Sequence, residues 1–573
     1  MDTLPLWLVV PAGIMAASTC TGATRPTTPN PITHVIIIMQ ENHSFDNYFG
    51  TYPNANGIPQ GTCVPINPSE PDLGCVVPYE DVHDAGPGGP HGAATAQADI
   101  DDGISHAYMD GFVYSEITNA CGKRGSCSGT VFPSRAPLPH GAATYAVMGY
   151  HTAAEIPNYW AYASHFVLQD AMFEGIRGWS GVSHNDLVSE WSAICTNKKR
   201  ASTCVTSSGS SAPKPSTIYP WANLFQLMDL NGVSWKYYLG EGTEPDCEDG
   251  ELTCAPEPQQ SKLPGYWNPA PYFAWVQAQG PTYLQQHNPS VDQFLLDVAN
   301  GTLPQVSWII PSEQYSEHPN AGSDAGMDYV TSMVNAVMQS PYWQNTAIFI
   351  TWDDWGGFYD HVVPPNADYN STANPVQGFG LRVPGLLISA YAQAGYIDNS
   401  VLSFDSYATF VENLFMNGAR LNPTALGNPD SRPDIRDELT SVTYWDGSTA
   451  PIGDLMDEFD FVDPPQPQLI LSTHIPSNIQ VSCIANGAIR NTERCNSTTV
   501  TISWASIQGP NMPGTFIYHL QRDGLDLPQC VGTANSCVDT PGIGNHLYRA
   551  YSIDPNNVTS PLSAAAEADV TKK

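Results

Sequence analysis

Two pairs of oxygen-bearing side chains stand directly behind apolar stretches that are typical of buried strands. Glu41 and Asn42 follow the stretch HVIIIMQ (residues 34–40), and Asp353 and Asp354 follow AIFITW (residues 347–352). Because ligands bind outside the carboxyl ends of strands in open α/β sheets, both pairs could be aimed into one crevice. Three carboxylates held close together repel each other unless a cation neutralises them. The pattern therefore predicts a site for one divalent metal ion.

The types of ligand restrict the choice of metal ion but do not identify it. Carboxylate and amide oxygens suit magnesium, calcium or manganese, but zinc and iron also accept carboxylates. Either pair on its own would more simply indicate a turn or a helix cap. The two together favour a site, because each follows a predicted strand and each is followed by an aromatic and glycine-rich stretch, FDNYFG or WGGFYDH.

The same two segments resemble those of a known family, the bacterial phospholipase C and acid phosphatase group of phosphoesterases, which are distant relatives of alkaline phosphatase. The family segment ENxSFDxYFG is matched by residues 41–50, and its Asp-Asp strand end followed by GGFYDHVxPP is matched by residues 353–365. Weaker matches in the family order lie at residues 106–113, 147–175, 316–320 and 382–397. The resemblance covers roughly residues 31–420 and implies a metal-dependent phosphoric ester hydrolase.

The resemblance also implies a serine or threonine nucleophile, because the phosphoryl group passes to a hydroxyl and then to water. Aligning His184 and Leu187 with the family pattern S-x-P-x-H and its apolar run places Ser180 at the nucleophile, in contact with the metal. Val182 stands where the family has proline, so Ser183 is the alternative nucleophile. Ser180 could also merely cap the following helix, which is compatible with catalysis because a helix N-terminus favours bound phosphate.

Histidines are expected around such a site, to protonate the departing alcohol and to stabilise charge on the phosphate oxygens. By resemblance His106 and His318 are predicted to contact phosphate, and His361 and His184 are further candidates. His318 and His361 each follow a carboxylate residue that could orient the ring, and Asp360 is predicted to be structural. Any one of these histidines taken alone would more simply be a core or surface residue.

The overall charge restricts the partners of this chain. It has 573 residues, of which 56 are acidic and 21 basic, so that the formal net charge is −35. This balance opposes binding to nucleic acid or to anionic lipid surfaces. It also predicts tolerance of acid, because protonation of carboxylates reduces their mutual repulsion.

Three features predict a secreted, periplasmic or cell-surface protein. Residues 1–25 hold an apolar stretch like a signal sequence, although Asp2 replaces the usual basic start, and Cys20 leaves open a lipid anchor. No other stretch is apolar for long enough to span a membrane. Twelve of the 13 cysteines form close pairs, which predict disulfides in an oxidising compartment: Cys63 with Cys75, Cys121 with Cys127, Cys195 with Cys204, Cys247 with Cys254, Cys483 with Cys495, and Cys530 with Cys537.

The elements that must position the site alternate between strands and helices. A helix at 220–230 precedes a strand at 233–238, and a helix at 327–339 precedes the strand that ends at Asp353. This rhythm predicts an α/β catalytic domain over residues 31–462, a three-layer α/β/α sandwich with a mostly parallel sheet, which is also the alkaline-phosphatase-like fold that the resemblance implies. A proline-rich linker at 463–468 leads to residues 469–573, whose strand pattern predicts an all-β sandwich of the fibronectin type III kind.

The leading hypothesis is a secreted, metal-dependent phosphoric ester hydrolase that works through a phosphoserine. Its substrate would be a small phosphomonoester or a phospholipid headgroup. Another hydrolase of the alkaline phosphatase superfamily is an alternative, although a sulfatase is disfavoured because no C-x-P-x-R segment is present. A surface-binding protein with a decayed phosphoesterase domain is the non-enzymatic alternative, and the presence of all four predicted ligands opposes it. The C-terminal domain could attach to a cell surface or polymer, or serve only as a spacer that shields the catalytic domain.

Overall fold

A seven-stranded mixed sheet lies at the centre of the larger part of the protein. The computed structural model describes residues 30–101, 108–123, 143–207, 217–245, 256–319, 321–365, 378–432, 435–485, 488–491, 494–495, 497–505 and 515–571. The seven strands are β1 (His34–Gln40), β2 (Val167–Gln169), β3 (Trp235–Leu239), β4 (Val306–Ile310), β5 (Thr346–Trp352), β6 (Gly385–Ser389) and β7 (Tyr396–Asp398). Their order across the sheet is β3-β4-β1-β5-β6-β2-β7.

The sheet is largely parallel, as the sequence predicts. Strand β6 runs antiparallel to both of its neighbours, β5 and β2, and the other pairings in the sheet are parallel. Strands β1 and β5 are apolar along most of their length and buried, because they occupy the middle of the sheet and are covered on both faces. The α/β class predicted from the sequence is confirmed.

Parallel strands require crossover connections, and helices supply most of them here. Within the described part of the chain, eleven α-helices are α1 (Phe45–Phe49), α2 (Ala93–Ile100), α3 (Phe112–Lys123), α4 (Pro157–His165), α5 (Ser180–Ser189), α6 (Leu224–Asn231), α7 (Ala274–Gln279), α8 (Pro281–His287), α9 (Asp292–Asn300), α10 (Ser323–Met338) and α11 (Phe404–Phe415). Helices α6 and α10 correspond to the two helices predicted from the sequence, and each leads to the strand expected after it.

Six short two-stranded ribbons lie outside the seven-stranded sheet in the described part of the larger unit, which is the part of the chain before residue 463. They pair Val64–Pro65 with Cys75–Val76, Tyr79–Glu80 with Gly149–Tyr150, Met172–Phe173 with Leu402–Ser403, Ala193–Cys195 with Cys204–Thr206, Gly242–Glu244 with Glu257–Gln259, and Ser441–Thr443 with Thr449–Pro451. Two ribbons coincide with predicted disulfides, because Cys63 is bonded to Cys75 and Cys195 to Cys204. The bonds Cys483–Cys495 and Cys530–Cys537 are also present, whereas Cys127, Cys247 and Cys254 lie outside the described residues.

The C-terminal part of the chain consists of strands in two further sheets. One contains Ala488–Asn491, Gln480–Ala485, Val500–Ser503 and Ser536–Asp539, and the other contains Arg494–Cys495, Ala566–Val570, Gly544–Ile553, Ile517–Arg522 and Leu525–Asp526. Buried residues from both sheets, including Ile502, Trp504, Leu520 and Tyr548, form one apolar cluster. These strands therefore share a core of their own, separate from the main apolar cluster around β1 and β5.

The segment between the two units runs along the surface of the larger one. The Gln466 backbone N–H donates to the Ala390 carbonyl at 2.6 Å, and Asn335 Nδ2 donates to the Leu471 carbonyl at 2.8 Å. Further on, Arg549 Nη2 donates to Glu155 Oε1 at 2.6 Å. No helix among the residues described is both long and apolar enough to cross a membrane.

Several carboxyl groups are buried in the fold, and their pKa values predict how stability depends on pH. Burial raises the pKa of both Asp99 and Asp328 to about 8 and that of Glu317 to about 7. A carboxyl group whose pKa is raised in the folded state stabilises the protein at low pH, and this contribution is lost as the pH rises through the folded pKa. Burial lowers the pKa of His43 to about 3, so that this side chain opposes stability below the ordinary histidine range.

We therefore expect the free energy of unfolding to fall by about 3 kcal/mol between pH 6.5 and pH 8. Thermal or denaturant unfolding in buffers of matched ionic strength measures this change. Asp328→Asn provides the control: Asp328 Oδ2 accepts hydrogen bonds from the backbone N–H groups of His474 and Ile475, which an amide oxygen can also accept. The variant is expected to show a shallower pH dependence, and an unchanged slope would contradict the assignment to Asp328.

Candidate active site

The carboxyl ends of β1 and β5 lie side by side. Gln40 pairs with Trp352 in the parallel register, and the Asp353 backbone N–H donates to the Gln40 carbonyl at 3.0 Å. One residue further, the Asn42 backbone N–H donates to Asp353 Oδ1 at 3.1 Å. The structure thus brings together the two polar pairs that are some 300 residues apart in the chain, at the sheet edge where the sequence predicts them.

The Ser180 hydroxyl lies among these side chains. Its Oγ atom is 2.9 Å from Glu41 Oε2, 3.2 Å from Asp354 Oδ2 and 3.4 Å from Asn42 Oδ1, and the side chain is fully buried. Ser180 is the first residue of helix α5, and Trp179 occupies the N-cap position. Ser180 therefore does not cap the helix, and it places its hydroxyl beside an N-terminus whose backbone N–H groups favour an anion.

Ser183, the alternative nucleophile, has a different environment. Its Oγ atom donates to the backbone carbonyl of Asp353 at 2.5 Å. This bond ties the first turn of α5 to the end of β5. The hydroxyl of Ser183 therefore positions the Asp353 backbone, whereas that of Ser180 faces the side-chain oxygens.

Two glycines allow the chain after Asp354 to turn closely around the site. Gly356 and Gly357 have φ values of 59° and 73°, in the left-handed region that strongly favours glycine. A Cβ atom at Gly356 would lie 2.2 Å from the Asn42 carbonyl oxygen, and one at Gly357 would lie 2.4 Å from Gly89 Cα. The segment WGGFYDH, noted in the sequence for its glycines, is thus needed to bring three loops together.

The orientation of the Asn42 amide places its oxygen against carboxylate oxygens. Asn42 Nδ2 lies 3.1 Å from His91 Nε2, and His91 Nδ1 lies 3.0 Å from the Gly89 carbonyl. A neutral His91 that donates from Nδ1 to this carbonyl must accept at Nε2, so Asn42 Nδ2 is the donor. The oxygen of Asn42 then faces Glu41 Oε2 at 2.9 Å and Asp353 Oδ1 at 3.3 Å. Such crowding of oxygens is unfavourable unless a cation lies between them.

The remaining groups also fit a cation. Asp353 Oδ2 is buried and has no hydrogen-bond partner among the described residues. One ligand atom from each of Glu41, His184 and Asp353 lies within 4.8 Å of the others. Rotating the Asn42 amide would give donors to the two carboxylates, but it would require a doubly protonated His91 in a buried position. The residues present therefore suit a divalent metal with oxygen ligands.

His184 lies one helical turn after Ser180 and contacts the same glutamate. Its Nε2 atom is 2.8 Å from Glu41 Oε1, while Glu41 Oε2 accepts from Ser180. Its Nδ1 atom is 3.3 Å from the Tyr237 hydroxyl, on strand β3. His184 thus orients Glu41, in the manner of the carboxylate and histidine pairs that surround many metal sites.

His318 lies beside the site, next to a histidine that sequence reasoning missed. The centres of the His318 and His91 rings are 6.2 Å apart, and the Trp267 ring is 6.0 Å from His318. Glu317 does not orient His318, because its carboxylate accepts from Tyr48, Tyr159 and Trp352. His91 lies in the glycine- and proline-rich stretch GPGGPHG (residues 86–92). No pattern in this stretch indicates that the histidine belongs to the site.

A second buried acid that the sequence did not indicate is Glu174. It is fully buried, and its Oε1 atom accepts from the Leu381 backbone N–H at 2.9 Å. Burial and the nearby charges of Asp354 and Asp353 raise the pKa of Glu174 well above its ordinary value. The ionised form of Glu174 is therefore disfavoured beside Asp353 and Asp354.

His361 belongs to a separate cluster with Asp46, Asp360 and Arg382. His361 Nδ1 lies 2.7 Å from Asp46 Oδ2, so its partner is not its sequence neighbour Asp360. Arg382 donates to Asp46 Oδ1 at 2.9 Å and to Asp360 Oδ2 at 3.0 Å. The structure thus places His361 with the residues that hold helix α1 rather than with Ser180. Asp360 is paired with Arg382, and its structural role stays a prediction. His106 lies outside the described residues.

Loss of Arg382 is expected to destabilise the protein strongly. Its guanidinium group is fully buried and neutralises two carboxylates, so Arg382→Met would leave both charges unpaired. Breaking a buried ion pair in this way costs about 3–5 kcal/mol. Denaturant unfolding measures the loss, and Arg549→Met, which removes a mostly buried partner of a single carboxylate, Glu155, serves as the milder control. A smaller loss for Arg382→Met than for Arg549→Met would contradict the role given to Arg382.

The fold and the site together define an α/β protein with a serine and carboxylate centre at the carboxyl edge of its sheet. The chain belongs to the Phosphoesterase family, whose model matches residues 32–416. It is 26% identical over 499 residues to the non-hemolytic phospholipase C of Burkholderia pseudomallei, which covers 77% of this chain and 60% of the relative. It is 25% identical over 452 residues to the non-hemolytic phospholipase C of Pseudomonas aeruginosa, which covers 71% of this chain and 57% of the relative.

A third relative matches over more of its own length. Phospholipase C B of Mycobacterium tuberculosis is 25% identical over 471 residues, which cover 76% of this chain and 79% of the relative. The chain spans about 60% of the length of the first two relatives. The family match covers the resemblance drawn from the sequence, including both ligand segments and Ser180.

Proposed function

We propose that this protein is a metal-dependent phosphoric ester hydrolase of the phospholipase C type, in which Ser180 is the nucleophile. The main support is the position of Ser180 Oγ, 2.9–3.4 Å from oxygens of Glu41, Asp354 and Asn42 at the start of a ten-residue helix. The names of the relatives support the phosphodiester class. The resemblance to the acid phosphatases supports a phosphomonoester instead, and the assay below separates the two.

A divalent cation held by Glu41, Asn42, Asp353 and Asp354 would supply positive charge beside Ser180 and favour the deprotonated hydroxyl. Ser180 Oγ releases its proton to solvent and forms a bond to phosphorus while the bond from phosphorus to the alcohol oxygen breaks. The departing oxygen takes up a proton, for which His318 is the candidate donor. Water next cleaves the phosphoserine, so that the serine hydroxyl is restored and phosphate or its monoester leaves.

The protein groups around Ser180 have supporting roles in this proposal. The backbone N–H groups in the first turn of α5 bind the phosphate oxygens. His184 holds Glu41, and His91 fixes the amide of Asn42, so both act through metal ligands. His361 is better assigned to the support of helix α1, and contact of His106 with phosphate stays a prediction.

Release of p-nitrophenol from two substrates tests the proposal. p-Nitrophenylphosphorylcholine reports a phosphodiesterase of the phospholipase C type, and p-nitrophenyl phosphate reports a phosphomonoesterase. We expect faster hydrolysis of the choline ester, with no turnover of either ester by Ser180→Ala. Faster hydrolysis of the monoester would assign the acid phosphatase activity instead, and hydrolysis of neither would contradict the proposed function.

We also infer export to an oxidising compartment, supported by the four disulfides in the described residues and by the apolar stretch near the N-terminus. The lipid anchor at Cys20 stays a prediction. For residues 469–573 we propose a fibronectin type III-like domain that supports the catalytic domain. The hydrogen bonds from Arg549 to Glu155 and from the Ala564 backbone N–H to Asp324, at 2.9 Å, favour support over attachment to a surface.

A further inference from the structure

A second group of acidic side chains lies away from Ser180, at the other end of the same helix. The acid cluster consists of Glu190, Glu412 and Asp437, whose ligand atoms lie within 4.8 Å of one another. Glu190 is the C-cap residue that follows helix α5, Glu412 lies on α11, and Asp437 lies in the short turn Arg436–Glu438. All three side chains are buried, with 4%, 0% and 4% of their surface exposed.

Two oxygens of the acid cluster lack hydrogen bonds. Glu190 Oε1 and Asp437 Oδ1 are buried and have no partner among the described residues. Glu190 Oε2 accepts from the Asp437 backbone N–H at 3.3 Å. The Leu421 backbone N–H donates to both Glu412 Oε1 and Asp437 Oδ2, at 2.9 and 2.8 Å. The carboxyl groups of Glu412 and Asp437 also lie close enough to hydrogen-bond each other when Glu412 is protonated, and they repel each other when both are ionised.

The neighbouring charges do not balance the acid cluster. Asp405 adds a fourth buried carboxylate, and the nearby guanidinium groups are Arg420, 3.4 Å from Glu412, and Arg436, 3.4 Å from Asp405. The charge of Arg432 acts on Glu190 and opposes the rise in its pKa, but Arg432 is also paired with Asp430 at 2.9 Å, which offsets that charge. Counting only residues that the structure describes, four carboxylates against two guanidinium groups leave two negative charges when all are ionised.

The cluster of Asp46, Asp360 and His361 is a useful comparison, because an arginine neutralises its two carboxylates. One ligand atom from each of these residues also lies within 4.8 Å of the others, but Arg382 donates to both carboxylates at 2.9 and 3.0 Å. No guanidinium group reaches Glu190 or Asp437 in this way in the part of the chain described. The two negative charges of the acid cluster match one divalent cation.

The pKa values agree with this picture. Burial and the charge of Asp437 raise the pKa of Glu412 to about 10, and burial raises that of Glu190 well above its ordinary value. Both shifts have the same cause, which is that burial and neighbouring like charge disfavour the ionised carboxylates. Carboxylates bind a metal in their ionised form, so a bound cation would favour that form.

We propose that Glu190, Glu412 and Asp437 bind a divalent cation with a preference for oxygen ligands, of the Ca²⁺ class. Three carboxylates offer up to six oxygens, and Ca²⁺ accepts both single and paired carboxylate oxygens in flexible geometry. The ion joins the end of α5 to α11 and to the turn at residues 436–438. Since a ten-residue helix is about 15 Å long, this ion lies far from Ser180 and has a structural role.

Ca²⁺ binding to the full chain tests the proposal, with stability rather than hydrolysis as the readout. The background carries Asp353→Asn, which removes a ligand of the proposed catalytic metal. In this background, metal-free protein at pH 8 is expected to gain about 2–3 °C in unfolding temperature when Ca²⁺ is added at roughly 100 times its dissociation constant. Adding Glu412→Gln and Asp437→Asn is expected to abolish the gain and to remove one equivalent of Ca²⁺ measured by equilibrium dialysis.

The same variants distinguish the cation from a cluster that only shares protons. Amides cannot ionise, so the metal-free variant is expected to unfold at or above the temperature of its background at pH 8. An equal Ca²⁺ response with and without these substitutions, or no Ca²⁺ response in the background, would overturn the proposal. If the double substitution does not fold, dialysis with Glu190→Gln decides between loss of one equivalent and no loss. These outcomes are independent of whether any phosphate ester is hydrolysed.

Discussion

Ser180→Ala is expected to lower kcat for phosphate ester hydrolysis by about 10⁴-fold or more, as loss of a nucleophile does in other hydrolases. The hydroxyl of Ser180 is the one that faces the side-chain oxygens of Glu41, Asn42 and Asp354. Its removal takes away one hydrogen bond to Glu41 Oε2, so the free energy of unfolding is expected to fall by no more than about 1–3 kcal/mol. Steady-state kinetics and thermal unfolding on the same preparation measure the two effects.

Ser183→Ala is the matched control for this substitution. Its hydroxyl donates to the Asp353 backbone carbonyl, so its loss is expected to cost about 1 kcal/mol of stability. We expect kcat to fall by less than about tenfold, because the bond positions β5 and makes no contact with phosphate. A larger kinetic loss for Ser183→Ala than for Ser180→Ala would reverse the assignment of the nucleophile.

Asp353→Asn is expected to remove the metal from the catalytic site and to lower kcat/KM by about 10³-fold or more. Asp353 Oδ1 accepts from the Asn42 backbone N–H, which an amide oxygen can also do, but Oδ2 is buried without a partner among the residues described. An amide in its place therefore preserves the loop while it replaces a charged ligand with a neutral group. Metal content by atomic emission, together with ester hydrolysis after chelation and metal addition, measures the change.

Asp360→Asn is the matched control for the ligand substitution. It lies seven residues further along the same segment and is also fully buried, but its carboxylate pairs with Arg382. We expect this variant to lose stability and to keep the metal equivalent that Asp353→Asn loses. Retention of metal and activity by Asp353→Asn would contradict the predicted ligand set.

Much of the fold was predictable from local pattern. The strands β1 and β5 are continuous apolar runs because both of their faces are covered, and helices α6 and α10 have clear starts and ends. The order of helices and strands then indicates a parallel sheet. The reversed direction of β6 could not be predicted in this way, since RVPGLLIS reads the same for either direction of pairing.

The positions of the candidate site residues were predictable where a polar pair directly follows a strand. They were less predictable in irregular segments. Glu41, Asn42, Asp353 and Asp354 follow β1 and β5, so their meeting depends only on the pairing of those strands. His91 and Glu174 lie in irregular segments, where no periodicity fixes which side chain points inward. For His361 the sequence neighbour Asp360 suggested a partner, but the ring contacts Asp46, some 315 residues away.

The neighbouring positions of β1 and β5 have a consequence for synthesis of the protein. The first 345 residues of a growing chain contain Glu41, Asn42 and Ser180, but they lack Asp353 and Asp354. Strand β1 cannot gain its partner β5 until that later stretch has left the ribosome, and closing so long a loop is slow. An incomplete chain therefore lacks the metal site proposed here, and with it the proposed hydrolysis of phosphate esters.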